Sequence, residues 1–565
     1  MKIFRNLLAT FVLVSLAAAP AFGAAQIVIV NRDGPNEGFN DPTPAAPVGG
    51  NPGTTLGQQR QIAFQYAADI WGSVLDSAVP IRIQASFDPL TCTATSGTLG
   101  AAAAIQIFAF NNTTFSELPL TWHHVALANK LVGQDLVPSG ASSDDIVAQF
   151  NSSLDSPACL GNIGWYYGLD TNHGNDTNLV TVLLHEFGHG LGFANFINEG
   201  TGVLPGGLPD VHSTYTYDLD LGKSWPQMTN AERVFSSINN HRVVWSGKNV
   251  AAAAPGVLTS GTLPRLTVNS PNLGTYGLGA AAFGAPLASP GVTGDLVIAE
   301  DADLDGAATV DTATDGCSAI TNDLTGKIAV VDRGNCGFVV KAKNVQDAGA
   351  IAMIVADNVA ASAPPAGMTG VDPTVTIPSG RISLRNATQI KALMASGTVN
   401  VTLGLRPDML DGADPAGRPY LYAPEPVRLG SSMSHFDVSA SPNLLMEPAI
   451  NSDLPHGVDL TLGEMIDIGW FTDLDGVPDG VDSCIGSSQS LTVVIDGCDS
   501  GVDNTVFADG CRISDQINDC AVAASNHGGF VSCVAHLGNQ LKKDGVITGA
   551  QKGAIQSCAG SASIP

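Results

Sequence analysis

Apolar and polar positions change rhythm along the chain, and the rhythm predicts its elements. Ile27–Val30 is a short apolar run that predicts a strand. Over Gln58–Leu75 the apolar residues Ile62, Tyr66, Ile70, Trp71 and Val74 return at helical spacing. Ile81, Ile83, Ala85 and Phe87 alternate with other residues, as do Ile146, Ala148 and Phe150, and both stretches predict strands. Residues 179–193 are apolar almost throughout and predict a buried helix, capped by Asp176 or Asn178. A helix over Asn230–Asn240 and a short strand over Arg242–Trp245 follow. From about Ala251 the composition shifts to Ala, Gly, Pro and Thr, which predicts a domain boundary. Beyond it, Lys327–Asp332 and Ala350–Val355 predict strands around a helix over Phe338–Ala348 that ends at Gly349, a βαβ crossover. Leu460–Trp470 predicts a further helix, with Glu464 and Asp467 expected to face solvent. Phe530–Leu541 and Gly549–Cys558 predict a helical hairpin.

Length and composition limit what these elements can build. At 565 residues the chain is too long for one domain, and three are expected. Hydrophobic residues make up 44% and charged ones 14%, enough apolar surface for large cores. A formal net charge of −27 argues against nucleic acid as a partner. Residues 1–23 read as a signal peptide: Lys2 and Arg5 give a positive start, Leu7–Ala19 an apolar run, and Ala21-Phe22-Gly23 a cleavage site, with cleavage after Ala25 as an alternative. No later stretch is long enough for a membrane span, so export to the periplasm or the extracellular space is expected. Ten cysteines, an even number, are expected to pair there. Cys92 and Cys159 are the only two of the first half and are expected to pair with each other.

Chemistry concentrates in Thr181–Phe193, TVLLHEFGHGLGF. It contains H-E-x-x-H as His185, Glu186 and His189. On a helix, positions four apart lie on one face, roughly 5–6 Å apart at Cβ, so both imidazoles can reach one metal ion. Glu186 is turned aside but stays close enough to take a proton from a water at that ion, as zinc hydrolases require. The metzincin pattern places Gly192 correctly, but its last ligand position is Asn195, and an amide oxygen is a poor zinc ligand. The third ligand is therefore expected from downstream. His435 is favoured and His212 is the runner-up; His123, His124 and His173 are expected to be surface or hydrogen-bonded core histidines.

The helix motif, the segment Ser434-His435-Phe436 and the later Leu445-Met446 together resemble the leishmanolysin family of metzincins. In that family a long insertion separates the helix from a third His, and a Met-turn follows. The resemblance implies His435 as third zinc ligand and Met446 as the apolar floor beneath the metal. A second resemblance covers the stretch from Gly326 to Ala350, which is similar to the protease-associated (PA) domain. It implies an inserted substrate-gating or substrate-recruiting module and a Cys317–Cys336 disulfide. Asp301, Asp303 and Asp305 form either a solvated acidic loop or a calcium loop. A third resemblance, of Phe471–Cys484 to a thrombospondin type 3 repeat, implies calcium at Asp473, Asp475, Asp479 and Asp482, against an acidic linker. Six cysteines follow from Cys484 onward, and their connectivity stays open, although Cys533 and Cys558 are placed to staple the predicted hairpin.

The expected organisation is a signal peptide (1–23), a metallopeptidase domain in two parts (24–255 and 406–471), an inserted PA domain (256–405) and a cysteine-rich C-terminal module (472–565). The fold class expected is an α+β metzincin-like peptidase domain, a twisted sheet plus active-site helix, carrying an α/β insertion and a small disulfide-rich module. The expected activity is zinc-dependent endopeptidase action on protein or peptide, with Glu186 as general base, Zn2+ as cofactor and Ca2+ as a second ion. Two alternatives stand beside it: a non-catalytic extracellular binding protein with a degenerate metal site, and a zinc aminopeptidase.

Overall fold

The structure is a computed structural model that describes residues 24–137, 143–161, 163–302, 313–360, 365–472, 477–488 and 490–564. Residues 1–23, expected to be a signal peptide, and Asp303, Asp305, Asp473 and Asp475 lie outside these residues.

The first unit is built on a four-stranded sheet of β1 (Ile27–Asn31), β2 (Ile81–Asp88), β3 (Gly100–Ala104) and β4 (Ile146–Asn151). Its order is β1-β2-β4-β3. The first three neighbours run parallel, with Ile27 opposite Ile81 and Ile83 opposite Ile146. β3 is antiparallel and forms the edge, with Gly100 opposite Phe150. The alternation read in β2 is literal: Ile81, Ile83, Ala85 and Phe87 are buried and their neighbours are not. Helix α1 (Leu56–Val74) starts where Thr55 accepts the Gln58 N–H, and it lays Phe64, Ala67, Ala68 and Trp71 on the sheet. Helix α2 (Leu179–Leu191) starts at Asn178, whose side chain accepts the Thr181 N–H. It is buried on nearly every face, which is why its sequence is apolar all round.

After α2 come α3 (Asn230–Ser236), β5 (Val243–Trp245) and then a long excursion. Residues 264–405 form an eight-stranded sheet containing β6 (Pro264–Ser270), β7 (Gly274–Gly277), β8 (Gly279–Ala280), β9 (Val292–Ile298), β10 (Ile328–Asp332), β11 (Ala352–Ala356), β12 (Ser379–Ile382) and β13 (Asn400–Leu405). The strand order is β7-β6-β13-β9-β10-β11-β12-β8. Strands β9 to β12 are parallel, and α4 (Phe338–Asp347) makes the crossover from β10 to β11. Gly349 closes that helix at φ +92, a backbone few other residues tolerate. Helix α5 (Leu384–Ser396) follows β12, and Ser383 accepts the Asn386 N–H at its start. The sheet has its own apolar core on each face.

The chain then returns to the first unit. Leu421 N–H donates to Val243 O (2.9 Å), and Trp245 N–H donates to Pro419 O (2.9 Å). Phe436, Met446, Met465 and Trp470 share one apolar cluster with Trp71, Phe187 and Leu184. One core is therefore assembled from both sides of the excursion. Helix α6 (Thr461–Asp467) corrects an expectation. Glu464 and Asp467 are buried, not solvent-facing, because α6 packs under residues of the earlier half. Asp467 accepts hydrogen bonds from Trp245 Nε1 and from the Asn249 and Val250 N–H groups. The period of α6 was readable, but its enclosure by a segment more than two hundred residues away was not.

The C-terminal module has a small core around Phe530, Val534 and Ile555 on α7 (Ile513–Ala523), α8 (His527–Lys543) and α9 (Gly549–Ser561). Cys92 pairs with Cys159 and Cys317 with Cys336. The expected Cys533–Cys558 staple is not made. Cys533 bonds Cys520 and Cys558 bonds Cys498, with Cys484–Cys511 as the remaining bridge. Helix α7 was not among the predicted elements; it buries Cys520 on the same face as Ile513 and Ile517, and there Cys520 meets Cys533. Asp479 and Asp482 are buried, and Asp482 accepts the Cys484 N–H (2.7 Å). Among the described residues, no helix is long and apolar enough to cross a membrane.

Candidate metal centre

Three imidazoles meet at α2. His185 and His189 project from the helix, and His435 comes from the segment that follows the excursion. His185 Nε2 lies 3.1 Å from His189 Nε2 and 3.3 Å from His435 Nε2. Each ring is oriented by its other nitrogen. His185 Nδ1 donates to Leu445 O (2.7 Å), His189 Nδ1 to Phe193 O (2.7 Å) and His435 Nδ1 to Ser431 O (2.8 Å). A carbonyl only accepts, so each Nδ1 carries the hydrogen and each neutral Nε2 presents a lone pair. Three acceptors this close repel one another unless a cation lies among them. A tetrahedral zinc with Zn–N near 2.0–2.1 Å spaces its nitrogens by about 3.3 Å, so the donor set fits zinc. Among the described residues this is the one group of three or more His, Cys, Asp or Glu side chains near enough to share a metal.

Burial sets the protonation of these groups. Desolvation draws His185 down to about 3 and His189 to about 4, and takes His435 well below its usual range. The neighbouring imidazoles add to the fall at His185 and His435. Glu186 moves the other way. Burial pushes its carboxyl up to about 8, opposed by a hydrogen bond from the Ala102 N–H on edge strand β3. Sequence gives no sign of that last contact, because Gly100–Ala104 reads GAAAA and has no strand alternation.

The site is braced from below. Met446 is fully buried, and a side chain at Gly188 of α2 would begin 2.8 Å from its Sδ. Phe436 N–H donates to Met446 O (2.8 Å), which joins the His435 segment to the turn that also supplies Leu445 O. Trp71 Nε1 donates to Leu184 O (3.0 Å) and Trp470 Nε1 to Leu191 O (3.1 Å), fixing α2 from two sides. Asn195 is not a ligand. Its N–H donates to Ser434 Oγ (3.1 Å) and its Nδ2 to Glu199 Oε1 (3.0 Å), so it ties the helix exit to the residue before His435.

The remaining histidines have other surroundings. His212 is fully buried with its Nε2 3.6 Å from Glu464 Oε1, and it is not part of the three-imidazole group. His123 binds Ser116 Oγ and Thr121 O, and His173 binds Asp176 O and Ser452 O. His124 is buried against Phe196.

The three imidazoles and Glu186 line a cleft of about 1020 Å³. One wall is β3 and the residues before it, Gly97–Ala103; the other includes Gly430, Ser431 and Pro448–Ile450. The cleft runs past Asn195–Glu199 on one side. On another it meets a hollow of about 270 Å³ that shares Leu99, Ile163, Thr177 and Ile450 and reaches His173–Asn178.

Comparison with known proteins identifies one part of the chain. Residues 292–390 match the PA domain family, and they fall within the eight-stranded sheet unit. An 83-residue stretch is 35% identical to the minor extracellular protease Vpr of Bacillus subtilis (strain 168), covering 15% of this chain and 10% of that protein. A 47-residue stretch is 51% identical to ER degradation-enhancing alpha-mannosidase-like protein 3 of Homo sapiens, covering 8% of this chain and 5% of that protein. The chain thus spans a tenth or less of these relatives. One is named a protease and the other mannosidase-like, so the shared stretches assign no chemistry. Among solved structures, the aminopeptidase from Aneurinibacillus sp. strain AM-1 is 20% identical over 28% of this chain and 37% of that chain, with a TM-score of 0.20.

Proposed function

We propose that the protein is an exported zinc-dependent endopeptidase of leishmanolysin-like metzincin type, interrupted by its PA domain. The observation that carries this reading is the convergence of His185, His189 and His435 Nε2 beside Glu186 in one cleft. These three residues would hold the zinc. When bound, zinc supplies a Lewis acid and lowers the pKa of water toward about 7. Glu186 takes the proton of the attacking water and returns a proton to the departing amine. The outer edge of β3 offers backbone groups along which an extended substrate can lie, and its alanines leave room for side chains. A cleft that continues beyond the metal on more than one side suits cleavage within a chain better than removal of one terminal residue. The PA domain serves the same site by controlling what reaches it.

The test is zinc stoichiometry together with casein hydrolysis. One zinc per chain is expected, with activity lost to a chelator and restored by zinc. Peptides with blocked N-termini should be cut as readily as free ones; cleavage of free ones alone would make the enzyme an aminopeptidase. Zinc-free purified protein that stays inactive after reconstitution would sink the reading. The stretch from Asp473 to Asp482 is assigned to calcium on the same footing; calcium should raise the thermal midpoint of the zinc-loaded protein, and no shift would remove that assignment.

A further inference from the structure

The eight-stranded sheet unit that contains the PA match, here called the PA unit, touches the metal-site unit at Gly277, ahead of the matched residues and on the way to the third imidazole. Strand β7 ends at Gly277, and a Cβ there would come 2.2 Å from His241 Nδ1. Only a glycine lets the strand pass so close to that ring. His241 holds φ +54, a left-handed backbone that a non-glycine residue keeps only when its surroundings fix it. Its ring lies flat on Tyr420, with centroids 5.1 Å apart and planes at 22°. Its Nε2 meets Asp437 Oδ1 at 3.0 Å, and both residues are buried.

Asp437 stands two residues after His435. Its N–H donates to Tyr420 O (2.9 Å), while Tyr422 N–H donates to His435 O (2.9 Å). The backbone on both sides of Phe436 is therefore clipped to residues 420–422, and the Asp437 side chain is held by His241. Nearby contacts seat the PA unit at this place: Arg242 Nη2 donates to Leu273 O (3.2 Å), and the Arg385 guanidinium lies 3.7 Å from the Phe235 ring centroid.

We propose that the seated PA domain holds the third metal ligand in position, through Gly277 on His241, His241 on Asp437, and Asp437 on the backbone that carries His435. His241 is then a positioning residue for the metal centre, and the PA domain acts on metal retention as well as on access. This rests on the zinc reading of the site, though not on the peptidase activity assigned to it.

The experiment measures zinc dissociation constants of the full-length protein by chelator competition, with the visible spectrum of the cobalt-substituted form as a second readout. His241→Ala should weaken zinc about 10–100-fold, as loss of an outer partner does elsewhere, and should shift the cobalt bands, while His241→Gln, which keeps an N–H for Asp437, should stay within about threefold of wild type. Gly277→Ala crowds the same ring from the PA unit without touching a metal-site residue, and should weaken zinc in the same direction. Unchanged affinity and cobalt spectrum in folded His241→Ala, or in Gly277→Ala, overturns the proposal. A wild-type protein that binds one zinc tightly yet cleaves nothing would end the peptidase reading and leave this one standing.

Discussion

Glu186, His185 and His435 are buried and His189 is partly so, and desolvation drives each toward its neutral form. For the metal-free protein at neutral pH this has a countable consequence. His185 and His189, drawn down to about 3 and 4, have no proton to give up when a metal arrives. Glu186, raised to about 8, still carries one, and a dication held in the same cleft would ionise it. Zinc binding at pH 7 should therefore release about one more proton from wild type than from Glu186→Gln. Calorimetry in buffers of different ionisation enthalpy reads this directly, and equal release from both proteins would show that Glu186 is already ionised. The same substitution should keep the metal and slow peptide hydrolysis by about 10²–10⁴-fold, the usual contribution of a positioned general base. The identity of these residues was legible in the motif. Their protonation was not, since it follows from enclosure and from the Ala102 N–H, which no local pattern announces.

Helix α2 works as an element because it ends where it does. Gly192 closes it at φ +149, and a Cβ there would lie 2.3 Å from Ile468 Cδ1. Gly192→Ala is expected to cost about 1–3 kcal/mol in a denaturant titration, from backbone strain with crowding added. The third ligand can be tested by contrast. His435→Ala should strip the zinc, whereas His212→Ala should retain it and lose stability, because His212 sits fully buried beside Glu464 and away from the triad. Metal analysis of the two variants decides; the reverse result would move the ligand to His212. At this scale the sequence spoke unevenly. Apolar spacing predicted α1, β2 and β4, an unbroken apolar run with its cap predicted α2, and the resemblance carried by Ser434-His435-Phe436 and Met446 pointed to a distant imidazole. Edge strand β3 was invisible because four alanines in a row have no face. Glu464 and Asp467 were misplaced because a helical period says which residues share a face and not what lies against that face.

The molecule as a whole carries two sets of buried ionisable groups whose effects on stability oppose each other. Asp145 and Asp210 are raised to about 6 and Glu447 and Asp467 to about 7, each chiefly by burial, and burial takes Glu464 well above its ordinary value. A carboxyl whose folded pKa is raised favours the folded state at low pH, and that support is lost as pH climbs through the folded value. His123 is lowered to about 4 and His124 and His212 to about 3, again by burial. For these the unfolded chain takes up protons first, below the ordinary 6.5, so stability is lost as pH falls from there toward the folded value. Above pH 6.5 the histidines are neutral in both states and only the carboxyls act; below their ordinary 3.8 to 4.5 the carboxyls are protonated in both states and only the histidines act. In the zinc-free protein Glu186 joins the first set and the metal-site histidines the second, so the signs are unchanged. The net charge of −27 adds repulsion on the alkaline side. Stability of the zinc-free protein should therefore peak in mildly acidic solution. Denaturant midpoints should be higher near pH 6 than near pH 8, and should fall again by pH 3.5. A midpoint that climbs steadily from pH 6 to pH 8 would mean that the buried carboxyls are ionised and paired at neutral pH, contrary to the enclosure of α6 described above.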